Sequence, residues 1–164
     1  MAPEQKPAFA IAWKIRAFRA PDAPAIAEIL RDSTEAAQWP PGSYPKLAES
    51  PGGVVLVCEA ERNGQLVGFV AARQAADEAE ILNIAVHRDF RRKGVASALL
   101  QAALDGFRRS AIASVFLELR ESNLPARNLY NRHGFVPSGR RAAYYHDPTE
   151  DAVCMLRKLT DSEG

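Results

Sequence analysis

The run Arg91-Arg92-Lys93-Gly94-Val95-Ala96 stands at the head of a segment whose apolar residues Val95, Leu99, Ala102, Ala103 and Phe107 recur at helical spacing. A helix that starts there points consecutive backbone N–H groups and the positive end of its dipole at whatever lies in front of it. That arrangement suits an anion such as a pyrophosphate. Gly94 allows close approach of a ligand to the backbone, Ala96 leaves the turn uncrowded, and Arg92 and Lys93 add positive charge. Taken alone, these residues fit a solvated basic loop ahead of an amphipathic helix equally well.

Two further residues stand out. Glu118 lies near the carboxyl end of an otherwise apolar strand, where a carboxylate is costly unless it has a partner or faces an open cleft. An outward-facing glutamate of an alternating strand is the plainer reading of Glu118 by itself. Tyr130 follows in the next helix, where a buried core tyrosine is the plain alternative. His87, His133 and His146 show no metal-ligand spacing, so no metal is expected. Cys58 and Cys154 sit in apolar runs and read as small buried hydrophobes rather than as a disulfide or a redox pair.

The elements that must hold these residues follow from the pattern. Residues 1–12, with Pro3 and Pro7, read as an extension ahead of a single domain over 13–164. A strand over 13–19 precedes a helix capped by Asp22 and carrying Ile26, Ile29 and Leu30, which ends before Pro40. A short helix is expected over 43–49. Strands over 54–61 and 65–72 are joined through Asn63-Gly64, a hairpin signal. An apolar strand over 79–86, the basic loop, a helix over 95–108 and a buried strand over 114–119 make up the centre. The next helix has Asn123 as its N-cap, Pro125 in its first turn and Gly134 as its stop. Strands over 135–145 and 152–159 close the chain through Asp147-Pro148-Thr149. Hairpins at both ends of a strand-helix-strand-helix middle predict an α/β (α+β) fold with a mixed central sheet flanked by helices. Ligands in such sheets favour the carboxyl ends of the parallel strands.

A length of 164 residues suits one domain with a real core, and a net charge of +1 with 25% charged residues gives no single-sign field. A nucleic-acid groove and a membrane-surface patch are therefore not indicated. The apolar run ahead of Lys14 is short and lacks a small-residue cleavage site, so a cytoplasmic protein is expected, as a monomer or weak dimer.

The segments Asn83-Ile84-Ala85-Val86 and Phe90-Arg91-Arg92-Lys93-Gly94-Val95-Ala96-Ser97-Ala98-Leu99-Leu100 resemble the coenzyme A motif of the GNAT superfamily. The segments Leu117-Glu118-Leu119-Arg120-Glu121-Ser122-Asn123 and Ala126-Arg127-Asn128-Leu129-Tyr130-Asn131-Arg132-His133-Gly134-Phe135 are similar to the second signature of its ribosomal-protein alanine N-acetyltransferase branch. The resemblance implies a sheet with two splayed parallel strands that hold the acetyl-pantetheine arm of acetyl-CoA. It implies that Ile84, Ala85, Val86, Arg92, Lys93, Gly94, Val95, Ala96, Ser97 and Asn123 bind that co-substrate. It makes Glu118 the general base and Tyr130 the general acid of a direct transfer, with backbone N–H groups near Val86 holding the oxyanion. The implied acceptor is the N-terminal alanine of small-subunit ribosomal protein eighteen. Trp39, Tyr44, Arg141, Tyr144 and Tyr145, with Arg140, would shape its groove. Other protein N-termini, a small-molecule amine, and a non-catalytic acyl-CoA-binding module are the alternatives. Ala96 stands where many relatives have glycine and Ser97 where a basic residue is common. The stretch from Trp39 to Tyr44 follows the family's substrate loop only loosely. An α-amine, with a pKa of about 7.7–8.0 against about 10.4 for lysine, is roughly 3.5 kcal/mol easier to deprotonate and suits a single glutamate base.

Overall fold

Strands rich in Val, Ile and Ala alternate with amphipathic helices along the chain, and each folds where its apolar face can be covered. The computed structural model describes residues 12–40 and 42–159, so the expected N-terminal extension, apart from Ala12, lies outside the described residues. Among the described residues there are seven strands: β1 (Trp13–Ala17), β2 (Gly53–Ala60), β3 (Leu66–Ala75), β4 (Glu78–Val86), β5 (Ser114–Arg120), β6 (Val136–Tyr145) and β7 (Glu150–Lys158). The helices are α1 (Ala23–Arg31), α2 (Ser43–Glu49), α3 (Val95–Arg109) and α4 (Leu124–Arg132). The strands form one sheet in the order β1-β2-β3-β4-β5-β7-β6, antiparallel except where β4 meets β5. The fold is thus the mixed α/β sheet expected from the element order.

Helices cover the two faces unequally. On one face α3 and α4 lie over β2 to β7, burying Leu99, Leu100, Leu104, Phe107 and Leu129 against Val70, Ile81, Val115, Leu117 and Met155. On the other, α1 and α2 bury Ile26, Ile29, Leu30 and Tyr44 against Val55, Val57, Phe69 and Ala85. Asp22 stands immediately before α1 as expected, but its carboxylate does not cap the helix. It accepts from Arg16 at 2.8 and 2.9 Å and from the Arg19 N–H at 2.7 Å, because a fixed guanidinium offers a stronger pair than an end-of-helix amide. α1 also ends at Arg31, well short of Pro40. Cys58 is fully buried as expected, whereas Cys154 is only half-buried.

Candidate active site

The site begins with a defect in β4. Ala71 pairs with Asn83 and Ala72 with Ile81, so Leu82 has no partner on β3 and forms a bulge. A bulge bends its strand and reverses the alternation of side chains beyond it. Accordingly Ala79 and Ile81 face α3 before the bulge, while Ile84 and Val86 do so after it. On its other edge β4 pairs with β5 only through Glu78–Ser114, Ala79–Val115 and Glu80–Phe116. Past that point the parallel strands separate, and a wedge opens between residues 81–86 and 117–120.

The first turn of α3 is set beside this wedge by Gly68 on β3. A Cβ there would lie 3.0 Å from both Val95 Cγ1 and Leu99 Cδ1, so the helix packs directly on the glycine backbone. The α3 ladder starts with Ala98 N–H donating to Gly94 C=O at 3.0 Å, which leaves the N–H groups of Val95, Ala96 and Ser97 directed out of the helix end. Gly94 is in the left-handed region at φ 85°, and a Cβ on it would meet nothing within 4 Å. The helix mouth is therefore open, with Arg92, Lys93 and Gly94 exposed before it. Arg91 is different: its guanidinium donates to Val86 C=O at 3.1 Å and Asp32 C=O at 2.6 Å, tying the basic loop to α1 and β4. Ser97 Oγ lies 2.7 Å from His133 Nε2, a contact between α3 and the end of α4. Burial, then Arg157 and Arg132, push the His133 pKa down, favouring the neutral imidazole.

Tyr130 is placed by the way α4 ends. Gly134, at φ 81°, donates to Asn131 C=O at 3.1 Å and Phe135 N–H to Tyr130 C=O at 3.0 Å, the two bonds of a Schellman motif. The accompanying apolar contact is Phe135 on Tyr130, ring centroids 5.6 Å apart. At the other end of α4 the Asn123 carboxamide caps Ala126 N–H at 3.2 Å. Tyr130 is 5% exposed, and burial, with the neighbouring Tyr145, holds its phenol well above the ordinary range.

Glu118 projects from the opposite face. Val115, Leu117 and Leu119 point into the core under α3 and α4, so Phe116, Glu118 and Arg120 point the other way. Arg141 Nε lies 2.6 Å from Glu118 Oε1, an ion pair. The charge of Glu118 is the main cause that raises the Tyr144 pKa. Arg141 and Tyr144 are three residues apart and would face opposite ways in an unbroken strand. Ala143, at φ 49°, and the register shift between Arg141 and Tyr145 bring both to the Glu118 side. Tyr145 is half-buried between the two faces, its pKa pushed up to about 12 by burial and by Glu118. Its ring stacks under the Arg120 guanidinium at 4.6 Å, and Arg120 also binds His146 C=O at 2.9 Å and Pro148 C=O at 3.1 Å.

The structure thus brings together Glu118, Arg141, Tyr144 and Tyr145 on one side of the wedge and Tyr130 and the α3 mouth on the other, with Ile84, Ala85 and Val86 along its β4 edge. Tyr44 is a correction. Expected in a groove wall, it is 0% exposed, its ring 5.3 Å from Phe69 and 5.7 Å from Trp39. An aromatic ring on the inner face of a short helix gains more by joining the core than by lining a surface. Trp39 is half-buried against the same cluster. Three residues were missed: Asn83, Glu80 and Arg120. Asn83 is buried, donating to Ala37 C=O at 2.9 Å and Tyr44 OH at 3.0 Å and accepting from Ala37 N–H at 3.2 Å. Glu80 shares the Glu118 face, and burial raises its pKa, with Glu118 adding to the rise and Arg73 opposing it. The available signal was a polar residue inside an apolar strand, which Asn83 and Glu80 both give. Among the described residues no cluster of His, Cys, Asp and Glu is arranged to hold a metal, and no helix is long and apolar enough to cross a membrane.

The profile of the acetyltransferase (GNAT) family matches residues 23–135. The ribosomal protein bS18-alanine N-acetyltransferase of Escherichia coli K12 is 34% identical over 122 residues, covering 73% of this chain and 82% of that protein. The crystal structure of the ribosomal-protein-S18-alanine N-acetyltransferase from Escherichia coli superposes with a TM-score of 0.80 at 28% identity, over 92% of this chain and 96% of the other. That of Ard1 from Thermoplasma volcanium superposes with a TM-score of 0.82 at 30% identity, over 92% and 100%. The wedge, the open α3 mouth and these likenesses agree: the chain belongs to the GNAT family and is an N-acetyltransferase.

Proposed function

We propose that this enzyme transfers the acetyl group of acetyl-CoA to the α-amine of a protein beginning with alanine, with the bS18 ribosomal protein as the first candidate. The observation that carries this reading is the wedge between β4 and β5, flanked by Glu118 on one face and Tyr130 on the other. The residues around it fit the co-substrate. An open helix mouth with Arg92 and Lys93 suits a pyrophosphate, and the β4 edge around Ile84, Ala85 and Val86, which has no partner on β5, offers backbone groups such as the Ile84 amide to an amide-bearing arm. Asn123 and Ser97 hold protein partners already, as cap and as His133 contact, so their share in that binding is through the positions of α4 and α3.

In the proposed reaction Glu118 takes a proton from the incoming ammonium, directly or through water. The amine attacks the thioester carbonyl, the C–N bond forms and the C–S bond breaks. Tyr130 gives its proton to the departing sulfur, a role suited to a phenol whose burial keeps it protonated throughout the neutral range. Backbone N–H groups near Val86 receive the oxyanion. The acceptor lies on the Glu118 face, between Arg141, Tyr144 and Tyr145. The names of the similar proteins support alanine as the acceptor residue.

The test follows free-thiol release from acetyl-CoA with an alanine-starting peptide copied from the ribosomal acceptor, its N-terminally blocked form and a lysine-containing control. Turnover is expected only with the free alanine N-terminus, and Glu118→Gln or Tyr130→Phe is expected to lower kcat by about 10²-fold or more. Turnover with small amines but not with the peptide would move the assignment to a small-molecule acetyltransferase. Binding of acetyl-CoA without any turnover would make the chain a non-catalytic acyl-CoA-binding module.

A further inference from the structure

The residue read as the general base is not free. Glu118 is bound by the Arg141 guanidinium at 2.6 Å, a charge-assisted contact that occupies the space an acceptor ammonium needs. The two partners are unlike in setting: the Glu118 side chain is 19% exposed and that of Arg141 is 61% exposed. The arginine therefore reaches in from solvent over a carboxylate that stays put. Its neighbour Arg140 is anchored to Glu121 at 2.8 Å and Asp151 at 3.2 Å, so β6 itself is held, while the Arg141 guanidinium is held by Glu118 and by the Tyr144 ring 5.6 Å away and is largely in solvent. Ala143 N–H, bound to Asp151 Oδ1 at 2.8 Å, fixes the kink that aims Tyr144 at the same carboxylate.

We propose that Arg141 is a positioning residue that covers Glu118 in the resting enzyme and is displaced by the acceptor's ammonium group. The exchange is balanced in charge, since the half-buried carboxylate keeps one cationic partner before and after, and no unpaired charge is left beside the sheet. It also protects the thioester. An uncovered Glu118 could take a proton from water; the water oxygen would bond to the acetyl carbon, the C–S bond would break with the proton of Tyr130 going to sulfur, and acetate and free thiol would be lost without an acceptor. With the guanidinium 2.6 Å from Glu118 Oε1, such a water cannot approach that oxygen. The proposal rests on the assignment of Glu118 as base, which its test separates from it.

The experiment measures free-thiol release from acetyl-CoA with no acceptor, and separately the kcat and KM of the alanine peptide, for the wild type, Arg141→Gln, Arg141→Lys, Glu118→Gln and the Arg141→Gln/Glu118→Gln pair. Arg141→Gln is expected to raise acceptor-independent hydrolysis about tenfold or more, with a lower peptide KM because no guanidinium competes. The double variant is expected to return hydrolysis to the wild-type level, and Arg141→Lys, which keeps the charge without the planar fork, to fall between. Unchanged hydrolysis in an Arg141→Gln enzyme that still acetylates the peptide would overturn the proposal, as would a raised peptide KM without hydrolysis, the signature of a simple groove wall. If Glu118→Gln leaves peptide acetylation intact, it is the assignment of the base that fails instead. Arg141 lies exposed on an edge strand, so the variants retain the fold, and Arg141→Lys supplies an independent reading.

Discussion

Asn83 carries more than one contact because its carboxamide imitates a piece of backbone. Its Oδ1 accepts from the N–H and its Nδ2 donates to the C=O of Ala37, as a neighbouring strand would, and Nδ2 also donates to Tyr44 OH. It fastens the loop after α1 to β4 just beyond the bulge. Removing it leaves buried donors and acceptors unmatched, so Asn83→Ala is expected to cost about 1–3 kcal/mol, read as a drop in the urea midpoint. An asparagine in an apolar strand announces that it has partners, but not which: Ala37 and Tyr44 lie 46 and 39 residues away in sequence. The Arg141 contact was hidden for another reason. A reversal of side-chain direction normally advertises itself as glycine, yet here the left-handed residue is Ala143. The placements of Glu118 near the end of its strand and of Tyr130 ahead of a Schellman stop were legible because the sequence spells out both local frames.

At the scale of elements, the position of α3 depends on the absence of a side chain at Gly68. A valine there must push against Val95 and Leu99, the residues that seat the first turn of the helix. Gly68→Val is expected to destabilise the fold by about 1–3 kcal/mol and, because the helix mouth moves with that turn, to raise the KM for acetyl-CoA several-fold while the KM for the peptide changes less. Thermal melting and steady-state kinetics of the same preparation check both halves. The helices were the most readable elements: α2 has the expected bounds, and α4 has its expected cap, proline and stop. The bulge in β4 was not readable. Ile81, Leu82 and Asn83 include no glycine, and only the pairing on β3 reveals which of them is extra.

For the whole molecule, the edge at β1 is tied down by charge. Arg16 on β1 binds Glu59 on β2 at 2.8 Å and Asp22 ahead of α1, and hydrogen bonds from Arg16 hold both carboxyl pKa values below the usual range. Groups whose folded pKa is depressed stabilise the fold above their unfolded value and lose that contribution as the pH falls through the folded one. Stability is therefore expected to fall as the pH drops below about 4, and Asp22→Asn to flatten that decline, both read from urea midpoints across pH.

The wedge has a consequence of a different kind. With only three residue pairs joining β4 to β5, the sheet is two blocks sharing one short seam, and the opened edges have no neighbouring strand to pair with. An extended, amide-bearing molecule lying there supplies what a strand would supply, so substrate and scaffold exchange roles and binding becomes the last step of sheet assembly. By mass action, acetyl-CoA at a hundred times its Kd adds about 2.7 kcal/mol to the unfolding free energy. That gain should concentrate at the seam, slowing hydrogen exchange at Ile84 and Val86, whose amides turn away from β3, while leaving the β1 edge, already held by Arg16, unchanged.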